Sequence, residues 1–210
     1  MKHHITHLLL FLLIPLCAIS QNGHFEGVIH YKFKWEATDP GIYLKSYKSF
    51  FGTASVVYIQ PGRYKQVYLN TKGLEFVQYD YRINFYYFKL FGKDTIFYND
   101  CIENKINYRL AKTGFEKKVL GYQCKQLLVI GDNDVSEYYY TEALPVDPAY
   151  YTNHKMAAYD QITEQTRSVY LMNVSSFKGI KITTIARHIS QKKLEDKIFE
   201  LPDFPLKKKD

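Results

Sequence analysis

Residues 115–142, FEKKVLGYQCKQLLVIGDNDVSEYYYTE, decide how the rest of the chain is read. Gly114 and Gly121 bracket a first run, and Gly131-Asp132-Asn133-Asp134 reverses the chain between two further ones, 122–130 and 136–141. Aromatic and β-branched residues fill the runs and turn formers fill the gaps, which is the pattern of a β-hairpin. It contains no evident catalytic residue.

The same pattern repeats on either side. In 25–36, Phe25, Ile29, Tyr31, Phe33 and Trp35 fall on one face with Gly27 between them, and Glu26, His30, Lys32, Lys34 and Glu36 fall mainly on the other. One covered and one wet face mark an antiparallel sheet. Runs 55–60 and 64–70 flank the turn Pro61-Gly62, and 74–80, 85–91, 95–98 and 106–110 follow; after the hairpin come 168–173 and 179–188. Two Asp-Pro pairs interrupt the strands. Asp39-Pro40 predicts a helix up to Gly52 with the stripe Ile42, Tyr43, Tyr47, Phe50 and Phe51, and Asp147-Pro148 predicts a second through Ala158. Residues 194–199 are short and amphipathic, stopped by Leu201-Pro202. About eleven strands and two or three short helices in one domain, 21–210, give a mainly β (α+β) fold. So many strands form either a large curled antiparallel sheet or a closed barrel.

The first twenty residues stand apart. Lys2 and three histidines precede the apolar run 8–16, and Ala18-Ile19-Ser20 places small residues before Gln21. This is the pattern of a signal peptide, residues 1–20, which predicts export to the periplasm or cell envelope. The apolar run is too short to span a bilayer, and no second one follows, so the chain is not expected to be a transmembrane protein. Cys17 follows the bulky Leu16, whereas a lipidated cysteine wants a small residue there, so it reads as part of the apolar core of the leader.

Charge excludes little. Residues 21–210 carry 27 Lys and Arg against 21 Asp and Glu, a net +6 after removal of Lys2 from 28. Lys207, Lys208 and Lys209 with Lys117 and Lys118 supply much of the excess, with no basic helix and no nucleic-acid motif. Solubility, or mild attraction to an anionic membrane surface, accounts for it. Past the leader there are two cysteines, Cys101 and Cys124, and in an oxidising compartment they predict a single disulfide.

Chemistry-bearing groups do not assemble into a site. His24, His30, His154 and His188 lie in four different elements without metal-ligand spacing, His30 reading as solvent-facing and His188 as half-buried. Asp132 and Asp134 with Glu137 lack the remaining positions of a calcium loop and read as a turn. There is no nucleophile elbow, no glycine-rich phosphate loop and no cofactor motif. The chain is therefore expected not to be an enzyme, to need no metal or cofactor, and to bind no nucleic acid. An outer-membrane barrel is disfavoured by short strands with charges on both faces.

Residues 116–125, EKKVLGYQCK, resemble the K-x-I-x-G-Y-x-C-K strand of the GLPGLI-type and related families of small secreted envelope proteins. The opening Phe25, Gly27, Ile29 and Tyr31, the segment YYYTEALP and the closing Phe199, Leu201 and Pro202 agree in order, although the GLPGLI motif itself is absent from 157–168. These families are similar in architecture to the lipoprotein carriers LolA and LolB. The resemblance implies a half-open β-barrel whose helices lie as a lid over a concave face, the place where the carriers hold acyl chains. No carrier motif maps onto this chain residue by residue. The expected function is binding of a lipid or other acylated apolar ligand, with Ile29, Tyr31, Phe33, Trp35, Tyr47 and Phe50 as lining residues. The alternative is a non-catalytic envelope protein-interaction module with a solid core, meeting a partner through exposed tyrosines at Tyr138, Tyr139 and Tyr140.

Overall fold

A computed structural model describes residues 23–102 and 106–209, and twelve strands among them form one sheet. The first meander comprises β1 (Gly27–Ala37), β2 (Ala54–Gln60), β3 (Arg63–Leu69), β4 (Leu74–Asp80), β5 (Phe85–Leu90) and β6 (Ile96–Asp100). The second comprises β7 (Arg109–Val119), β8 (Tyr122–Ile130), β9 (Asp134–Pro145), β10 (Ser168–Phe177) and β11 (Ile180–Gln191). They join where β1 pairs with β11, and β12 (Leu206–Lys208) adds in parallel to β6. The order is β12-β6-β5-β4-β3-β2-β1-β11-β10-β9-β8-β7, and the sheet does not close. This is the curled, half-open sheet that was expected. Its bends fall at register shifts in the β1–β11, β4–β5, β7–β8 and β9–β10 pairs, because a bulge increases local twist.

Strict alternation in β1 sorts the faces. Ile29, Tyr31, Phe33 and Trp35 are buried in the main core on the concave side, while His30, Lys32 and Lys34 are exposed. The convex side is covered over the first meander by the chain after β11. There Leu194 and Phe199 bury against Val28, and Leu201 and Phe204 pack on Phe76, Tyr87 and Ile96. Polar anchors fix this strap: the Gln78 side-chain amide donates to the Phe199 carbonyl at 2.6 Å and Lys65 Nζ to the Ile198 carbonyl at 2.9 Å. Burial of Leu194 and Phe199 contributes about 1.5–3 kcal/mol each.

Several expectations are corrected. Residues 106–110 and 115–120 do not form two strands; a single strand, β7, takes in the end of the first and most of the second, bent at Gly114, whose φ of +75° suits a bulge. The lysine-rich end supplies the twelfth strand, three residues long. The first helix, α1 (Leu44–Phe51), starts later than Asp39-Pro40, because Asp39 Oδ1 accepts the Gly41 N–H at 2.9 Å and closes its own turn. Asp147-Pro148 opens only a 3-10 turn, Pro148–Tyr151, with Asp147 accepting the Ala149 N–H. After a second such turn, Met156–Ala158, the helix α2 (Tyr159–Thr166) follows, beyond the segment read as helical.

The expected disulfide is not formed. Cys101 and Cys124 are both buried and both free, outside bonding distance. Eight strands separate β6 from β8 in the sheet, and the two side chains belong to different faces. Cys101 lies by the aromatic rings of the concave side, its carbonyl accepting the Lys155 N–H at 2.7 Å. In β8, Leu127 pairs with Tyr138 on that side, so Cys124, of opposite parity, points away. Burial pushes the Cys101 thiol up to about 12 and raises that of Cys124. His188, expected to be half-buried, is exposed opposite His30, ring to ring at 5.7 Å. The expected signal peptide, residues 1–20, and Cys17 within it lie outside the described residues.

Candidate functional site

Between the concave face and the 147–167 segment lies a cavity of about 130 Å³. The strands supply alternate residues: Tyr31 from β1, Val57 and Ile59 from β2, Tyr64 and Gln66 from β3, Tyr86 from β5, Tyr138 and Tyr140 from β9, and Tyr170 from β10. Helix α2 closes it with Tyr159, Ile162, Thr163 and Thr166. The helix forms with a half-polar inward stripe because its threonines are satisfied internally. Thr163 Oγ donates to the Tyr159 carbonyl at 2.9 Å and Thr166 Oγ to the Ile162 carbonyl at 2.8 Å.

Eight of the lining residues are tyrosines, so the wall is made of rings that each carry one hydroxyl. Tyr31 donates to the Tyr170 carbonyl at 2.6 Å, and Tyr64 is hydrogen-bonded to His154 Nε2 at 2.9 Å. Among the described residues no protein group engages the hydroxyls of Tyr86, Tyr159 or Tyr170. Burial pushes Tyr170 up to about 12 and raises Tyr86 and Tyr159 as well, so all three stay neutral and can donate. These hydroxyls open onto the cavity, where an acceptor that enters it can take their hydrogen bonds.

His154 lies behind this wall and does not line the cavity. Its ring stacks on Tyr159 at 4.6 Å and lies 4.2 Å from that of Tyr79. It is 2% exposed, and loss of solvation lowers its pKa to about 4, so it is neutral. The Lys155–Asp160 ion pair, 2.7 Å, fixes the entry to α2. No group of three metal-ligating side chains occurs among the described residues.

Of the expected lining residues, Tyr31 bounds the cavity. Ile29, Phe33 and Trp35 share its face but pack in the core, Phe33 against Tyr68 and Trp35 against Phe51, with Trp35 Nε1 donating to the Gly52 carbonyl at 3.0 Å. Tyr47 is half-buried on α1, edge-on to Phe177, and Phe50 is exposed on the same helix. The exposed tyrosine surface at 138–140 is corrected: Tyr139 and Tyr140 are buried and Tyr138 half-buried. The period of two in YYYTE was the available signal for the cavity. It places Tyr138 and Tyr140 toward the cavity and Tyr139 on the other face, where its hydroxyl meets Glu137 at 2.6 Å.

No family model matches the sequence, and no curated protein matches it. Among solved structures the fold is similar to PNGF-II in its C2 crystal form, with a TM-score of 0.52 and 14% identity over 88% of this chain and 31% of that one. The chain thus spans about a third of the length of PNGF-II. An uncharacterized conserved protein from Thermus thermophilus matches with a TM-score of 0.47 and 11% identity over 88% of this chain and 91% of its own. A LolA superfamily protein from Nitrosomonas europaea matches with a TM-score of 0.40 and 6% identity over 85% and 91%. The likeness to PNGF-II is one of fold alone.

Proposed function

We propose that this is a non-catalytic envelope binding protein for an acylated or otherwise apolar ligand with one hydrogen-bond acceptor near the end that enters the cavity. The observation that carries this reading is the apolar cavity bounded by neutral tyrosines whose hydroxyls at Tyr86, Tyr159 and Tyr170 have no protein partner. An ester or amide carbonyl matches such donors, and valine and isoleucine side chains match a hydrocarbon end. At about 130 Å³ the space is close to the ~150 Å³ that holds a benzene ring and below the ~300–1,000 Å³ of pockets for larger ligands. It therefore takes a short chain end, and a longer acyl chain needs α2 to move outward. Left-handed residues at both ends of α2, Ala158 and Arg167, are the joints for that movement.

Displacement of a fluorescent fatty acid, with native mass spectrometry and lipid extraction of the purified protein, tests the reading. Ile162→Trp should fill the cavity and abolish binding while the circular dichroism spectrum is retained. Tyr159→Phe and Tyr170→Phe should each weaken binding by up to about tenfold, the worth of one hydrogen bond. A wild-type protein that carries no lipid and binds no fatty acid would overturn the proposal.

A further inference from the structure

One end of the molecule carries exposed aromatic rings among unpaired lysines. Helix α1, the β3–β4 turn and the β5–β6 turn meet there through their backbones. The Lys72 N–H donates to the Ser49 carbonyl at 2.7 Å, the Thr71 hydroxyl to the Phe50 carbonyl at 2.6 Å, and the Phe91 N–H to the Gly73 carbonyl at 2.7 Å. Gly73 sits so close to Phe50 that a Cβ there would lie 2.4 Å from the ring. On this joined surface Tyr43 is 66% exposed, Phe91 62% and Phe50 41%. Lys45, Lys48, Lys72 and Lys93 stand around them, all exposed and none in an ion pair among the described residues. Across 43–52, 69–74 and 90–94 the only acidic residue is Asp94, so four positive charges face one negative.

We propose that this end docks on an anionic lipid surface, with the rings at the depth of the headgroups and the lysines against the phosphates. Two features favour a bilayer over a protein partner. The core of a protein interface is depleted of charge, whereas here each ring has a lysine neighbour, an arrangement that a headgroup layer accommodates. Lysine stems also reach from the ring level to the phosphates without losing solvation. The proposal does not rest on the cavity: it concerns the rim formed by α1 and two turns, and none of its exposed rings lines the cavity.

Trp35, the single tryptophan, stacks on Phe51 of α1 at 5.9 Å and gives a local reporter. The full chain is mixed with vesicles of brominated phosphatidylcholine, alone or with an equal share of phosphatidylglycerol, and tryptophan quenching is followed. Quenching is expected with the anionic vesicles, little with phosphatidylcholine alone, and loss at about 0.5 M salt. The triple variant Lys45→Gln, Lys72→Gln, Lys93→Gln should lower partitioning by roughly tenfold or more. Tyr43→Ala with Phe91→Ala should lower it by a similar factor. All five side chains are exposed, and an unchanged circular dichroism spectrum verifies the fold. No quenching of the wild type, or equal quenching of the wild type and both variants, would overturn the proposal. Loss only in a Lys207→Gln, Lys208→Gln, Lys209→Gln variant would also overturn it. So would concentration-dependent self-association that Tyr43→Ala with Phe91→Ala abolishes while vesicles have no effect, which would assign the surface to a second copy of the chain.

Discussion

Burial takes the His154 ring out of water between Tyr79, Tyr159 and Tyr64, and the consequence is a pH dependence with a definite sign. Desolvation lowers its pKa to about 4 in the folded chain, whereas a histidine in the unfolded chain titrates near 6.5. Between these values the unfolded chain binds the proton and the folded chain does not, so stability is complete above about pH 6.5 and declines as pH falls toward 4. The loss from this group is on the order of 3 kcal/mol. Urea titrations at pH 7 and pH 4.5 should show it, and His154→Gln should flatten that part of the profile. A slope unchanged by the substitution would assign the acid loss to other groups. The role of His154 was not legible in the sequence, where four scattered histidines look alike. Its burial depends on Tyr64, Tyr79 and Tyr159 converging from two strands and a helix. The cysteines carry the converse lesson: an even count suggested a bridge, and the parity of β8, visible only once β8 pairs with β9, directs Cys124 away from Cys101.

At the scale of elements, the strands and the first helix, α1, were readable and helix α2 was not. A strand needs only a period of two, and 25–36 or 122–130 shows it directly. Helix α2 hides its inward stripe because two of its three buried residues, Thr163 and Thr166, are polar by type and satisfied by backbone carbonyls of the helix and of Ser168. Its end is imperfect. Arg167 holds a left-handed conformation, φ 48°, where a side chain costs about 1–2 kcal/mol that glycine avoids. Its ion pair with Glu164 is exposed and contributes little. Arg167→Gly is therefore expected to raise stability by about 0.5 kcal/mol after the extra freedom of the unfolded chain is counted. Gly52→Ala at the end of α1 should act oppositely and cost at least about 2 kcal/mol. There φ is +79° and a Cβ would lie 2.0 Å from the Leu69 carbonyl oxygen. Chemical denaturation of both variants would check the pair, and a stabilised Gly52→Ala would contradict the packing described between α1 and β3.

An open sheet of twelve strands leaves two edges for the whole molecule to protect, since unpaired N–H and C=O groups can accept a strand from another chain. The edge at β12 is three residues long and offers little. The edge at β7 spans 11 residues, nearly all exposed, and its defence is visible in its composition. Gly114 breaks the register between Lys112 and Glu116, and Lys112, Lys117 and Lys118 place charge along the rest. An added strand would have to desolvate those ammonium groups and follow the bend. Charge was legible in the sequence here as a basic pair, but its purpose was not, because nothing in the sequence alone puts β7 at an edge. Replacing Lys112, Lys117 and Lys118 by threonine keeps β propensity and removes the charges. The variant is expected to elute from size exclusion as larger, concentration-dependent assemblies than the wild type, with light scattering rising on storage. Elution unchanged at every concentration would show that the bulge at Gly114 alone is sufficient to guard the edge.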